Sequence, residues 1–483
     1  MKINTSKYLL LTIFFFGLVY SLISIINHCN FRTYALDLGL YTNALYKYGH
    51  LILADSLMIK EDHEYLLGSH FDLYLIIFSP LVYIFHTYTL LIVQITGVLA
   101  GGIGVYKYFR LTSSKHTILA LNATIYFFSF YGIYSAISYD YHSTVIAAML
   151  IPWLFYFLKK EKYLLTSLVA VLVLISQENV ALWLLFICLG LIYEYRKNKT
   201  AVIFLSAVAS ISLIYFLTVI YVIIPAFSDS NEYTGFTYSV LGITPLEAFR
   251  NLILHPLDNI KILFINHNNS IAGDYVKMEM LITVLISGAF ILLLRPHFIF
   301  MLIPVFLQKL FNDNYLVWGI DGQYSIEFAP VLAIGIFSAI SEFKNKRARQ
   351  IITALVLLGV LFSTIRVMDN TILYTNKSKI RFYQANHYIR KYNVKQVHEQ
   401  LDKIQDDAII SAQSPFVPHL ALRDHIYQFP IVKDAEYIVY SEKEGKYPLD
   451  EESFNIIINQ IIASNEWETQ YRSDGIVILK RKR

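Results

Sequence analysis

Long apolar runs separated by short polar gaps dominate the chain, and most of the runs are long enough to carry a helix across a membrane. Crossing the roughly 30 Å hydrocarbon core takes about 20 helical residues, fewer where end residues snorkel or the bilayer thins. The runs that fit are 8–26, 88–106, 117–138, 143–158, 163–176, 178–193, 201–224, 278–294, 297–311, 325–341 and 351–367, which predicts about eleven spans. A further segment, 72–86, is apolar but short; it begins at Asp72, carries Pro80 and ends at His86, so it reads as interfacial or re-entrant. The first run follows Lys2 and Lys7 and has no small-residue cleavage site behind it, so it is expected to remain as a helix.

The gaps are of two kinds, and they alternate. One kind is basic: Lys107, Arg110 and Lys115; Lys159, Lys160 and Lys162; Arg196, Lys197 and Lys199; Arg295; Lys344, Lys346, Arg347 and Arg349. If 72–86 does not cross, the N-terminus and every basic gap fall on the cytoplasmic side, as the positive-inside rule requires; if it crosses, the later basic gaps all move outside. The first arrangement puts loops 27–71, 139–143, 176–179, 225–277 and 312–324, and everything beyond 367, on the outer face. Within 225–277 the stretch 245–264 has the broken periodicity of a helix lying along the membrane surface, a candidate lid or substrate wall. From 370 the composition becomes soluble, with a helix predicted over 381–404, strands over 408–411, 426–429 and 436–440, a helix over 451–464 and a hairpin at 473–475. The expected fold is a polytopic α-helical membrane protein with its N-terminus inside, a transmembrane domain over 1–369, and a small extracytoplasmic α/β domain over 370–483.

Composition agrees with this and narrows the function. At 56% hydrophobic and 16% charged, the 483-residue chain is outside the soluble globular range. Its net charge of +4 is small, and its basic residues sit in gaps beside apolar runs, which argues against a nucleic-acid partner. Cys29 and Cys188 have no CxxC or Cys/His spacing, so no zinc site or disulfide framework is expected.

The outer gaps hold the candidate chemistry. Loop 27–71 concentrates Asp37, Asp55, Glu61, Asp62, His63, Glu64 and His70. Asp37 stands about ten residues past the first span, beside the apolar face of Leu36, Leu40, Ala44 and Leu45. There it is either a partly desolvated acid able to accept a proton or the N-terminal cap of a short helix. His70 and Asp72 precede the re-entrant segment, Asp140 and His142 stand two apart in SYDYHST, and Gln177, Glu178 and Asn179 begin a later span. Carboxylates and imidazoles converging from separate helices could orient a substrate hydroxyl or bind a divalent cation such as Mg or Mn, with Asp37, Asp140, His142 and Glu178 as candidate ligands. Loop 312–324 adds Asp313, Asp321, Gln323 and Tyr324, with Tyr315 and Trp318, which suit either a sugar ring or a membrane-interface belt. Lys309 is a lone cation in an apolar run, costly in lipid unless it meets an anion such as a phosphate headgroup; Arg250 and Lys277 are weaker candidates for that task. SPFVPHLALRDHIYQFP in the tail has no nucleophile or metal spacing and reads as scaffold or recognition.

These motifs together resemble a family of predicted prokaryotic membrane proteins of unknown function placed in the GT-C glycosyltransferase superfamily. The resemblance runs through ALDLGLYTNALY, GSHFDLYLIIFSPLVYIF, SYDYHSTVIAAMLIPWLFY, SQENVALWLL, GQYSIEFAPVLAIGIF, the tail tract and DAEYIVY. It implies a transferase that uses a polyprenyl-phosphate-linked sugar, with an acid of the first outer loop, here Asp37, as base or metal ligand. It also shows departures: Ser143 stands where the family has Pro, and Gln177-Glu178-Asn179 where it has Lys-Glu-Asp.

The expected function is therefore a multi-pass membrane glycosyltransferase that carries sugar to an unidentified glycan, lipid or protein acceptor on the outer face of the cell membrane. Asp37 is its base, and His70, Asp140, His142, Glu178, Asp321, Gln323 and Tyr324 position substrate. A lipid or polysaccharide transporter would place ionisable residues near the midplane of several spans rather than at one end. A noncatalytic receptor with a partner-binding tail is the other alternative.

Overall fold

The structure, a computed structural model, describes residues 5–61, 64–112 and 117–482. Lys2, Asp62, His63 and Lys115 lie outside the described residues. Among the described residues four helical stretches are long and apolar enough to cross a membrane: Lys7–Cys29, Tyr74–Leu111 with an internal break at His86, Lys199–Phe227 and Lys346–Met368. Ile118–Phe128 and Tyr131–Ile137 together make a further span bent by 43°. The apolar helices Ser143–Lys159, Tyr163–Leu174, Pro296–Leu310 and Phe328–Ser341 are shorter. Fewer helices thus reach full span length than the eleven apolar runs predict. Turns at Phe130, Glu161 (φ 54°) and Gly288 (φ 100°) cut the chain into shorter pieces.

The segment expected to be re-entrant forms short turns from Tyr74 to Phe85, breaks at His86 (φ 49°), and then runs into the helix Thr89–Thr112. Pro80 lacks the N–H that would continue a regular helix. The long helices pack closely: a side chain at Gly102 would collide with the ring of Phe128. One large core unites these helices, with Tyr20, Phe128, Tyr131, Trp183 and Phe337 inside it.

The C-terminal segment carries a mixed sheet. Strands β1 (Ile410–Ala412), β2 (Ile426–Gln428), β3 (Tyr437–Ser441), β4 (Trp467–Ser473) and β5 (Ile476–Arg481) run in the order β2-β1-β3-β5-β4. β1 is parallel to β2 and β3, whereas β5 is antiparallel to β3 and β4. Asp474 and Gly475, both at positive φ, supply the tight turn of the β4–β5 hairpin. Alternation splits the sheet between two cores. Ile438, Tyr440, Val477 and Leu479 pack with Phe454 and Ile458 of the helix Glu451–Ala463. Tyr437, Val439, Ile476 and Ile478 face the other way, into a core shared with Phe31, Ala35, Leu38, Leu45, Leu66 and Tyr74. The tail therefore shares its core with the first loop. The helix predicted over 381–404 is confined to Val394–Leu401, where Asn393 caps it by accepting from the Gln396 N–H, and 381–392 is mostly irregular.

Candidate functional site

Asp37 lies in a widened turn, the π-helix Ala35–Gly39, which leads into the helix Leu40–Gly49. Such turns are uncommon and recur at functional positions. The tail sets this one in place. Ser414 Oγ accepts the Ala35 N–H at 3.1 Å, and Asn43 Nδ2 donates to the carbonyls of Ala421 (2.9 Å) and Arg423 (2.8 Å). Gly39 lies so close to Val417 that a Cβ there would come within 2.9 Å of its Cγ1. The capping alternative for Asp37 does not hold: the caps are Tyr34 and Gly39, and neither helix has a side-chain cap bond.

The DYH tract reaches the same place from another element. Gln94, fully buried, clamps it by donating to the Asp140 carbonyl (2.8 Å) and accepting from the His142 N–H (3.0 Å). Asp140, at φ 59°, accepts the Tyr34 N–H at 2.9 Å and lies 3.3 Å from Lys379 Nζ. Burial pushes its carboxyl up, Lys379 pulls it down, and nearby Asp37 raises it again. His142 Nε2 lies 3.5 Å from Asp37 Oδ1, an ion-pair distance longer than a direct hydrogen bond. Tyr139 stacks on the His142 ring at 5.8 Å, and Nδ1 of that ring is buried without a partner.

The third approach is through His70 and Glu178. Glu178, buried at the start of the helix Glu178–Glu194, accepts from His70 Nδ1 (2.9 Å) and the Phe71 N–H (3.3 Å), and Gln177 Nε2 lies 2.8 Å from the same ring nitrogen. Burial opposes a proton on His70, but Glu178, with Asp72 and Asp37, outweighs it and raises the pKa. Asp72 is buried and accepts the Tyr74 N–H (2.8 Å) and the Ser143 hydroxyl. Burial pushes its carboxyl up to about 7 despite those bonds. Ser143, where the family pattern has Pro, thus supplies a hydroxyl that bridges two of the converging elements.

Loop 312–324 contributes differently. Asp321 is tied to Lys377 and to the Thr371 hydroxyl (2.6 Å), so it anchors the segment after the last long helix. Tyr324 faces the Asp37 side, where burial and the Asp37 charge both raise its phenol pKa, and Gln323 Oε1 is buried without a partner. The three expected phosphate ligands are placed elsewhere. Lys309 is buried and donates to the carbonyls of Val317 (2.8 Å) and Gly319 (2.9 Å). Lys277 is buried, donates to the Ile262 carbonyl (2.5 Å), lies 2.8 Å from His267 Nδ1 and sits over the Trp318 ring. Arg250 is exposed on the helix Pro245–Leu254. The protein's own carbonyls thus satisfy two of the three.

Sequence reasoning missed Lys379. Its ammonium lies over the rings of Tyr34 (4.8 Å) and Tyr139 (5.5 Å), and its side chain keeps 24% exposure beside Asp140. In the sequence it is one lysine of NKSKIRF, with nothing to mark it. Gln94, inside an apolar run, was equally unmarked.

Asp37, Asp72, Asp140 and Glu178 thus come from separate elements, and their charges act on shared neighbours: Asp37, Asp72 and Glu178 on Tyr41 and His70, and Asp37 also on Asp140 and Tyr324. Among the described residues Asp37 is the one of these four whose oxygens accept no hydrogen bond, and its side chain is 22% exposed. A partly open carboxylate with an imidazole behind it is equipped to take a proton from a bound hydroxyl. Of the expected cation ligands, Asp37 and His142 lie together while Asp140 and Glu178 spend oxygens on other partners, and among the described residues no three His, Cys, Asp or Glu side chains are grouped as a metal site.

No curated protein matches the chain. Among solved structures it is similar to an oligosaccharyltransferase of Archaeoglobus fulgidus, crystallised with a disulfide-tethered acceptor peptide containing the NVT sequon. The identity is 12%, the TM-score 0.43, and the match covers 90% of this chain and 69% of that one. The family described as "Predicted membrane protein (DUF2079)" matches residues 27–478, nearly the whole length, and the chain belongs to that family.

Proposed function

We propose that the chain is a membrane glycosyltransferase that moves a sugar from a polyprenyl-phosphate-linked donor to an acceptor hydroxyl on the extracytoplasmic face. The observation that carries this reading is the free carboxylate of Asp37, paired with His142 at 3.5 Å and ringed by acids whose oxygens are already engaged. The resemblance of its motifs to the GT-C superfamily supplies the reaction class.

In the proposed step the acceptor oxygen attacks the anomeric carbon as its proton passes to Asp37. The new C–O bond forms while the bond from that carbon to the donor phosphate oxygen breaks, and the polyprenyl phosphate leaves with the electron pair. A single displacement of this kind inverts the carbon. His142 stabilises Asp37 before transfer, and Lys379, paired with Asp140 but still 24% exposed, is the cation assigned to the phosphate, whereas Lys309 and Lys277 are buried on backbone carbonyls. Tyr41, Tyr139 and Tyr324 offer faces and hydroxyls to a sugar ring.

The test is transfer of radiolabel from a panel of polyprenyl-phosphate sugars in proteoliposomes to added glycan, lipid and peptide acceptors. Donor-dependent transfer with inverted product supports the reading. No transfer with any donor overturns it.

A further inference from the structure

Residues 29–33 form the corner between the first long helix and the turn that carries Asp37. Phe31 turns that corner at φ 53°, a conformation that L-residues seldom adopt, with its side chain fully buried. Aromatic packing from the tail holds it there. Its ring lies 4.4 Å from His398, nearly parallel at 26°, 4.4 Å from His419 and 5.4 Å from Phe416.

The imidazoles also meet one another. His28, at the end of the helix, stacks on His419 at 4.1 Å and 10°, and His398 meets His419 edge-on at 5.1 Å. His28 has both nitrogens engaged, by Thr33 Oγ1 (2.8 Å) and Thr87 Oγ1 (3.1 Å). His398 Nε2 lies 2.9 Å from the Cys29 carbonyl, while Nε2 of His419 is buried without a partner. A cavity of about 280 Å³ beside the cluster, with His398 and His419 in its wall, gives water a route to the rings.

The corner itself carries Arg32, buried and donating to the carbonyls of Asn386 (2.8 Å), His387 and Ile389 (3.0 Å), and the tail adds Tyr392, whose ring lies 6.2 Å from Phe31. The first helix brings His28 and Cys29, whose thiol lies 3.3 Å from the Tyr88 hydroxyl at the break before Thr89. The tail brings His398 and His419, with Asp402, Asp406 and Arg423 in the cavity wall. Arg423 is a fixed cation bound to the carbonyls of Leu420 (2.6 Å) and Ala408 (2.9 Å), whereas Asp402 and Asp406 are exposed at the rim and screened by solvent.

We propose that this cluster is an acid-released latch: the stacked imidazoles hold the Phe31 corner, and with it the Asp37 turn, against the tail, and protonation of His419 lets the corner go. A proton on His419 sets a cation against two other imidazoles, with no buried carboxylate in the cavity wall to offset it. Burial, and then His28 and His398, already hold His419 well below the usual histidine range. The sign follows: His419 is neutral while latched and takes a proton once freed, so acid favours release below the ordinary value of about 6.5. The latch is independent of what the site turns over.

The test is hydrogen exchange of the purified full chain in nanodiscs between pH 7.5 and 5.5, corrected for the intrinsic pH dependence of exchange. The peptide covering 27–39 is compared with the helix Glu451–Ala463 as internal control, in wild type and in the His419→Asn variant. Wild type is expected to lose protection about tenfold in 27–39, the linkage of one proton over one pH unit, with the control unchanged. The variant is expected to lose less than about twofold. Unchanged protection of 27–39 in wild type overturns the latch, as does a loss that persists undiminished in the variant. If the variant does not fold, the wild-type comparison of the two peptides still decides, since a loss shared by both is not local release.

Discussion

Asp140 separates a positioning role from a catalytic one, and its contribution can be worked from its contacts. It sits at φ 59°, accepts the Tyr34 N–H at 2.9 Å and faces Lys379 at 3.3 Å. Asp140→Asn keeps a side chain that tolerates the left-handed conformation and an oxygen for the Tyr34 N–H, so it loses only the interaction with a partly exposed Lys379, about 0.5 kcal/mol. Asp140→Ala loses that and more: roughly 1 kcal/mol for placing a Cβ residue without a local hydrogen bond in the left-handed region, and about 1–2 kcal/mol for the unpaired N–H. The expected costs are about 0.5 kcal/mol for Asn and about 3 kcal/mol for Ala. Thermal unfolding in detergent micelles should rank the proteins wild type, Asn, Ala, with Ala lower than Asn by roughly 2–3 °C. Because Tyr34 starts the turn that carries Asp37, transfer activity should follow the same ranking. If Asn destabilises as much as Ala, charge rather than backbone geometry is the work of Asp140, and the reasoning fails.

Two further outcomes follow from the same geometry. Glu178→Gln removes the partner that raises the His70 pKa; since a raised histidine pKa stabilises fully below its unfolded value and that stabilisation fades as pH rises through the folded value, the stability gap to wild type should be widest below about pH 6.5 and close above it. A gap of constant size across pH 5–8 would show that the His70 charge is not involved. Lys379→Gln should raise the donor KM at least about tenfold and make donor binding less sensitive to salt, with thermal stability within about 1 kcal/mol of wild type. An unchanged KM would return the phosphate to some other cation.

The sequence marked most of the ionisable residues that the fold gathers, but not how long each apolar helix would run. The DYH and QEN tracts and Asp37 stand out because ionisable residues are costly beside apolar runs, and the structure brings His142 and Asp37 together and sets Glu178 against His70. Lys309 stood out for the same reason, yet hydropathy could not say that the carbonyls of residues 317 and 319 would accept its hydrogen bonds. The tail was legible as strands and a hairpin, because Tyr437–Ser441 and Ile476–Arg481 are apolar runs of β-formers and Asp474-Gly475 is a turn signal. That one face of this sheet would share a core with Phe31, Ala35 and Leu38 was not legible, since pairings across more than 300 residues leave no local period. The Phe31 corner is the clearest case: nothing in HCNFRTY marks a left-handed residue held by imidazoles from the tail.

The central claim is that Asp37 takes the acceptor proton, and single-turnover transfer by Asp37→Asn beside wild type tests it most directly. Donor binding is measured in parallel, and thermal unfolding confirms that the variant is folded. The account predicts unchanged donor affinity with a chemical step slowed by about 10²–10⁴-fold, the usual range for loss of a general base. A variant that transfers sugar at the wild-type rate would contradict it.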